Sequence, residues 1–379
     1  MNIITQDLQI GSGRLNVMIK DSIDIQGFKT TLASKAMENT IPAAKNATVV
    51  ERILAADCQI TAKTNLHELA FGITGINDAF GTAINPKYPQ LIPGGSSSGS
   101  AAAVAAQLAD FTLGTDTGGS IRMPAACCGV FGLKPTFDRI SRCGIHPQYS
   151  SLDCVGPLAN SVEMIETAMQ IIDPSFVIAA AITQAPKLAY LAVSATEEVY
   201  QTIMDYLTQA GLQPDCVDVI FFDDAFEAGM HMINFENWQA YHALTQTGLV
   251  GVDVNTRLLA AAETTQQQVE QAQRIKLKFS QEIDALLAEY DALVLPTLAQ
   301  TPPKLVDAKQ DAGLLNLTKL VRPFNLSGHP AISIPLISQQ NLPVGLQIIA
   351  SHYADEKLCA IAQFIVQAAA SHKELMSDE

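Results

Sequence analysis

Two glycine- and serine-rich runs restrict this chain most: Pro93-Gly94-Gly95-Ser96-Ser97-Ser98-Gly99-Ser100 and Gly114-Thr115-Asp116-Thr117-Gly118-Gly119-Ser120-Ile121-Arg122-Met123-Pro124. The first runs into a predicted helix, Gly99–Leu108, and the second leaves a predicted strand, Phe111–Gly114, for a helix-like stretch. A third element lies upstream, where the apolar run Val17-Met18-Ile19 ends on Lys20-Asp21. Together they offer hydroxyl nucleophiles, an amine base and closely spaced backbone donors. Those are the parts acyl transfer needs when no histidine serves as base.

Around these runs, short β-branched or apolar segments alternate with longer helical ones, the pattern of an α/β protein. Strands are predicted over Leu15–Ile19, Gln59–Ala62, Phe111–Gly114, Lys187–Val193, Ala292–Leu295, Ala331–Ile334 and Leu346–Ala350. Helices are predicted over Thr48–Ala56, Gly99–Leu108, Thr196–Ala210, Thr256–Glu289 and Asp355–Ala370. Proline and polar residues mark 174–186 and 301–313 as loops. In the long predicted helix Val269, Ala272, Phe279, Ile283 and Leu286 share a face, which is expected to pack on the protein's own sheet and otherwise allows a homodimer contact.

Nearly half of the 379 residues are apolar, enough for a large core, and a single domain over 1–379 is expected. The net charge of −15 lacks the basic footprint of a nucleic-acid binder, so no direct nucleic-acid partner is expected. No stretch reads as a leader or a membrane span, and a cytoplasmic location is the expectation. The odd count of seven cysteines, without metal-ligand spacing, reads as reduced thiols, with Cys127-Cys128 as small buried hydrophobes.

A serine hydroxyl attacks a carbonyl only when something within hydrogen-bond reach takes its proton. Ser120 is the best nucleophile in the sequence: Gly118-Gly119 before it allow unusual dihedrals and close approach to a ligand. The N–H groups of Thr117, Gly118, Gly119 and Ser120 are expected to converge as an oxyanion hole. Lys20 and Lys63 compete for the role of base, and either needs burial to lose its proton near neutrality.

The arrangement resembles the amidase signature family of serine hydrolases. The likeness covers the core from Pro93 to about Pro157, including Ala125–Pro135 and Ser150-Ser151-Leu152-Asp153-Cys154-Val155-Gly156-Pro157. Weaker matches flank it: Ala62-Lys63-Thr64-Asn65, Tyr290–Leu293, Phe324-Asn325-Leu326-Ser327-Gly328-His329-Pro330 and Leu342–Gln347. The resemblance implies a large twisted mixed β-sheet wrapped by helices. It also implies a Ser-Ser-Lys triad of Ser120, Ser96 and Lys20, with Ser96 reached through a cis peptide after Gly95 and no metal or cofactor. Lys20 fits the triad motif and its register, and Lys63 does not. Asp116 and Arg122 match positions that organise the loop as a buried ion pair, and Ser97 and Ser98 add hydrogen bonds. Many relatives carry a helical segment before the lysine strand, whereas this sequence reaches Lys20 almost at once, as some indoleacetamide hydrolases do.

Three functions follow from the resemblance: an amidase of small-molecule carboxamides, including carbamoyl compounds such as allophanate or biuret derivatives; the glutaminase component of a tRNA-dependent amidotransferase; or a catalytically silent scaffold. Retention of Lys20, Ser96 and Ser120 together speaks against the scaffold, and the short amino terminus weakens the amidotransferase reading, which leaves the first as the expectation. Other readings fit poorly. Gly95-Ser96-Ser97-Ser98-Gly99 has the spacing of a nucleophile elbow centred on Ser97, but the preceding segment is broken by prolines rather than a strand. Both glycine runs lack the lysine of a phosphate-binding loop. His329 is expected to be structural, and His67-Glu68 lacks a second ligand at useful spacing. Selectivity is expected from 174–253 and 324–329, with Phe235, Trp238 and Tyr241 as pocket candidates.

Overall fold

A computed structural model describes residues 1–308 and 312–377. Among the described residues, eleven strands form one mixed sheet: β1 Ile4–Ile10, β2 Asn16–Lys20, β3 Gln59–Thr64, β4 Phe111–Asp116, β5 Phe131–Lys134, β6 Cys154–Ala159, β7 Leu188–Leu191, β8 Asp215–Val217, β9 Ala292–Pro296, β10 Ala331–Ile337 and β11 Pro343–Ile349. Their order is β1-β3-β2-β4-β6-β5-β10-β11-β9-β7-β8. β2 runs parallel to both β3 and β4, so Lys20 at its end lies beside the end of β4. The helices are α1 Thr48–Ala55, α2 Ser98–Ala105, α3 Arg122–Cys128, α4 Val162–Ile172, α5 Glu197–Gln209, α6 Phe222–Tyr241, α7 Val252–Ala261, α8 Gln266–Glu289, α9 Leu305–Ala308, α10 Arg322–Ser327 and α11 Asp355–Ser377.

Strand periodicity divides the core in two. Along β9, Ala292 and Val294 join one cluster with α4, α5 and α11, while Leu293 and Leu295 join another with α6, α8 and α10. Successive side chains of a strand face opposite sides of the sheet, and helices therefore cover both. Among the described residues, no helix is long and apolar enough to cross a membrane.

All seven expected strands are present, and the sequence reading missed β1, β5, β6 and β8. β6 reads Cys-Val-Gly-Pro-Leu-Ala, and its glycine and proline disguise a strand that pairs with both β4 and β5. The expected helix Thr256–Glu289 is two helices, α7 and α8. A capping box restarts the second: Gln268 N–H donates to Thr265 Oγ1 at 3.3 Å, and Thr265 N–H donates to Gln268 Oε1 at 2.9 Å. Of the expected loop over 301–313, the turn α9 is described and residues 309–311 lie outside the described residues. All seven cysteines are free, and burial pushes the Cys128 thiol in α3 up to about 12.

The apolar stripe of α8 packs on α6 and α10 rather than on the sheet alone. Phe279 is fully buried between Phe222 of α6 and Phe324 of α10, with ring centroids 6.1 and 6.0 Å away. Both neighbours carry residues of the cavity described below, so this aromatic trio sets their spacing. Phe279→Ala is expected to lower stability by about 3–5 kcal/mol, read from the urea midpoint.

Candidate active site

The three expected triad residues come from three segments that meet at the ends of β2 and β4. Lys20 is fully buried, and its Nζ donates to Ser96 Oγ at 2.8 Å, to Thr115 Oγ1 at 2.8 Å and to Thr115 O at 3.4 Å. Burial brings its ammonium down to about 7, against the opposing pull of the Asp153 and Asp116 carboxylates. An amine at that value is largely free of its proton just above neutrality.

Ser96 follows a cis Gly95–Ser96 peptide bond. A β-carbon on Gly95 would stand 2.8 Å from the Gly75 backbone nitrogen, so the segment packs too tightly for any side chain there. Ser97 N–H donates to Ser120 O at 3.2 Å, and Ser97 Oγ donates to Thr115 O at 3.2 Å. These bonds fasten the first glycine run to the second. Ser98 differs from expectation: it opens α2 with its hydroxyl buried and makes no side-chain hydrogen bond among the described residues. Ser120 lies against a cavity, and its Oγ makes no hydrogen bond to Ser96 or to any other described residue.

Asp116 shapes the nucleophile loop. Its Oδ1 accepts from Gly119 N–H at 2.7 Å and from Arg122 Nη2 at 3.0 Å, and its Oδ2 accepts from Ile121 N–H and Arg122 Nε, both at 3.0 Å. Burial alone would raise its pKa, but the Arg122 guanidinium and Asn325 hold it well below the usual carboxylate range. Both members of the pair are fully buried. Gly119 differs from expectation: its N–H is engaged by Asp116 rather than free. Thr117, Gly118 and Ser120 have no acceptor for their N–H groups among the described residues.

The cavity has a volume of about 200 Å³. Leu69, Phe71 and Ile73 form one side, Met230 and Ile233 of α6 another, and Thr117, Gly118 and Ser120 lie on its wall with Arg322. None of the pocket candidates Phe235, Trp238 and Tyr241 lines it. Trp238 packs on His242 with ring centroids 5.4 Å apart, and Tyr241 is buried in the core, because the adjoining face of α6 turns to the cavity. Sequence reasoning also missed Thr115, Asn325, Gln347 and Arg322. Asn325 and Gln347 lie within matched motifs, yet only their position across the sheet reveals that both hydrogen-bond the Asp116–Arg122 pair.

Asp284, His329 and His352 bring possible metal-ligand atoms within 4.8 Å of one another. None of them lines the cavity. His329 Nε2 meets Asp284 Oδ1 at 3.0 Å and its Nδ1 meets Ser327 Oγ at 2.9 Å, so the ring is held from both sides. Burial and the neighbouring His352 lower its pKa to about 3, which keeps the imidazole neutral.

A family model described as Amidase matches residues 15–176 and 191–359. The chain is 32% identical to the A subunit of the glutamyl-tRNA(Gln) amidotransferase of Geobacillus thermodenitrificans, over 95% of this chain and 84% of that protein. Among solved structures, the corresponding protein of Thermotoga maritima superposes with a TM-score of 0.80 at 29% identity, over 96% of this chain and 87% of that one. A crystal structure of an amidase superposes with a TM-score of 0.85 at 28% identity, over 93% and 84%.

Lys63, the rival lysine, points elsewhere. Its Nζ pairs with Asp21 Oδ1 at 2.7 Å and donates to Lys29 O at 2.8 Å and Thr30 Oγ1 at 3.0 Å. It fixes the segment after β2 and makes no contact with Ser96. Lys63→Met leaves the buried Asp21 carboxylate without its cation, so a loss of about 3–5 kcal/mol is expected in urea unfolding.

Proposed function

Because the chain belongs to the amidase family of hydrolases, which act on amide C–N bonds, we propose that it hydrolyses a small-molecule carboxamide through a Ser120 acyl-enzyme. The observation that carries this reading is the buried 2.8 Å contact between Lys20 Nζ and Ser96 Oγ, with the amine brought to about 7 by desolvation. A surface lysine at its ordinary value would be useless as a base.

In the proposed cycle neutral Lys20 takes the Ser96 proton as Ser96 takes that of Ser120. Ser120 Oγ bonds to the carbonyl carbon, and the developing oxyanion sits under the free N–H groups of Thr117, Gly118 and Ser120. The relay returns the proton to the leaving nitrogen, the C–N bond breaks, and ammonia or an amine departs. Water then attacks the ester by the same route, which frees the carboxylate and restores Ser120. The Ser120 hydroxyl must turn toward Ser96 once substrate fills the cavity, since catalytic hydrogen bonds often tighten only in the complex. Asp116 and Arg122 hold the loop and take no proton.

The 32% identity to an amidotransferase component supports a second reading, in which the chain releases ammonia from glutamine for a partner protein. Ammonia release from simple amides by the isolated chain selects the first reading. Activity confined to glutamine plus a companion protein selects the second.

Ser120→Ala is expected to cut kcat by about 10³-fold or more with an unchanged circular dichroism spectrum. Lys20→Ala is expected to cost about 10²- to 10⁴-fold. For the parent enzyme, log kcat/KM is expected to rise with unit slope below pH about 7 and level off above it, because the protonated amine cannot accept the relay proton. A Lys20→Ala rate equal to that of the parent would falsify the assignment of the base.

A further inference from the structure

Two arginines lie buried beside the nucleophile loop, and their fates differ. Every side-chain nitrogen of Arg122 is partnered: Nε and Nη2 by Asp116, Nη1 by Val321 O at 2.9 Å and Gln347 Oε1 at 2.7 Å. Arg322, at the start of α10, is 3% exposed, yet among the described residues only its Nη2 has a partner, the Thr318 hydroxyl. Its Nε and Nη1 are buried without any acceptor. No acidic side chain pairs with it among the described residues, and burial pulls its pKa down to about 9. Unpaired donors on a buried charge are strongly disfavoured, and native proteins leave few of them.

The surroundings are shaped to hold this group. The guanidinium carbon lies 4.3 Å from the centre of the Phe226 ring, which covers one face of it. At Gly229, in the middle of α6, a β-carbon would stand 2.9 Å from Arg322 Cγ and 3.0 Å from Cδ. Glycine inside a helix is unfavourable, and here it makes room for the arginine stem. Nε lies 3.6 Å from where a β-carbon of Gly118 would be, two residues before Ser120. Arg322 is also part of the cavity lining that includes Ser120.

We propose that Arg322 is a specificity-determining residue that binds a carboxylate on the acyl half of the substrate, so that the preferred substrates are monoamides of short dicarboxylic acids. The cavity of about 200 Å³ suits an acyl chain of a few carbons, with Ile233 and Met230 against its methylenes and the anionic end turned to the Arg322 guanidinium, whose Nε and Nη1 are closed off from solvent in this structure and reach the carboxylate by a turn of that side chain. This inference takes from the amide-hydrolase reading only the position of the acyl group next to Ser120. Carboxylates bind guanidinium in preference to neutral groups because the charge-assisted bond replaces a desolvated, unsatisfied donor.

The test separates binding from turnover. Ser120→Ala protein is titrated by calorimetry with the monoamides of succinic, glutaric and adipic acids and with the uncharged butyramide, valeramide and hexanamide. At least one monoamide is expected to bind tenfold or more tightly than its uncharged counterpart, and adding Arg322→Gln is expected to erase that preference while Arg322→Lys keeps part of it. The Lys variant and the Ser120→Ala ratio still decide the matter should the Gln variant not fold. Equal binding of charged and uncharged amides, binding of neither series, or a preference that survives Arg322→Gln would each overturn the proposal. Tight binding of a monoamide with no turnover by the Ser120 parent would instead overturn the hydrolase reading and leave Arg322 in place.

Discussion

The bidentate pairing of Asp116 with Arg122 is the contact on which the rest of the site depends. Asp116 ends β4, Arg122 opens α3, and between them run the residues proposed to do the chemistry. One carboxylate collects Gly119 N–H, Ile121 N–H and the arginine fork, so the intervening loop closes around a fixed anion. The arginine then reaches Val321 O and Gln347, and Asn325 returns to Asp116, which binds α10 and β11 to the same point. A buried pair adds little net stability against an apolar substitute, but its directional bonds specify a single loop conformation. That conformation leaves the N–H groups of Thr117, Gly118 and Ser120 unclaimed at the cavity.

Although its net charge is −15, the molecule buries five cations among the described residues, Lys20, Lys63, Lys134, Arg122 and Arg322. Each meets the desolvation penalty differently. Arg122 and Lys63 have carboxylate partners, whereas Lys20 has only hydroxyls and a carbonyl within reach and yields its proton more easily instead. Lys134 donates to Pro135 O at 2.9 Å and is also lowered by burial. Arg322 lacks both remedies, since a guanidinium holds its proton near neutrality whatever its surroundings. Of these cations it is the one whose pairing the protein leaves open.

Legibility in the sequence followed the physics of each element. Strands rich in β-branched residues, such as Ala331–Ile334, stand out by composition, whereas β6 hides behind Gly156 and Pro157 and is a strand because β4 and β5 hold it on both sides. The two glycine runs stand out because their composition is local in sequence, whereas Lys20 is singled out by its fit to the family motif and lies 76 residues from Ser96. The roles of Asn325 and Gln347 were not, because they arise from bonds that span 209 and 225 residues to Asp116 and Arg122. Lys20 and Lys63 look alike along the chain. Their neighbours in space differ, Ser96 for one and Asp21 for the other, and this supports Lys20 as the proposed relay amine and Lys63 as a tether.

Helix α6 shows why the substrate is harder to read than the chemistry. Its aromatic residues draw attention in the sequence, but Trp238 and Tyr241 are spent on packing, and the cavity receives Met230 and Ile233 instead. One turn before Ile233, Gly229 has no side chain to notice, yet its missing β-carbon is what admits Arg322 from a segment far along the chain. Residues that bind a proton or attack a carbonyl must be particular types, so they leave a signature. Residues that give a pocket its volume act through what they omit, and any small side chain would look the same until the arginine that fills the space is seen.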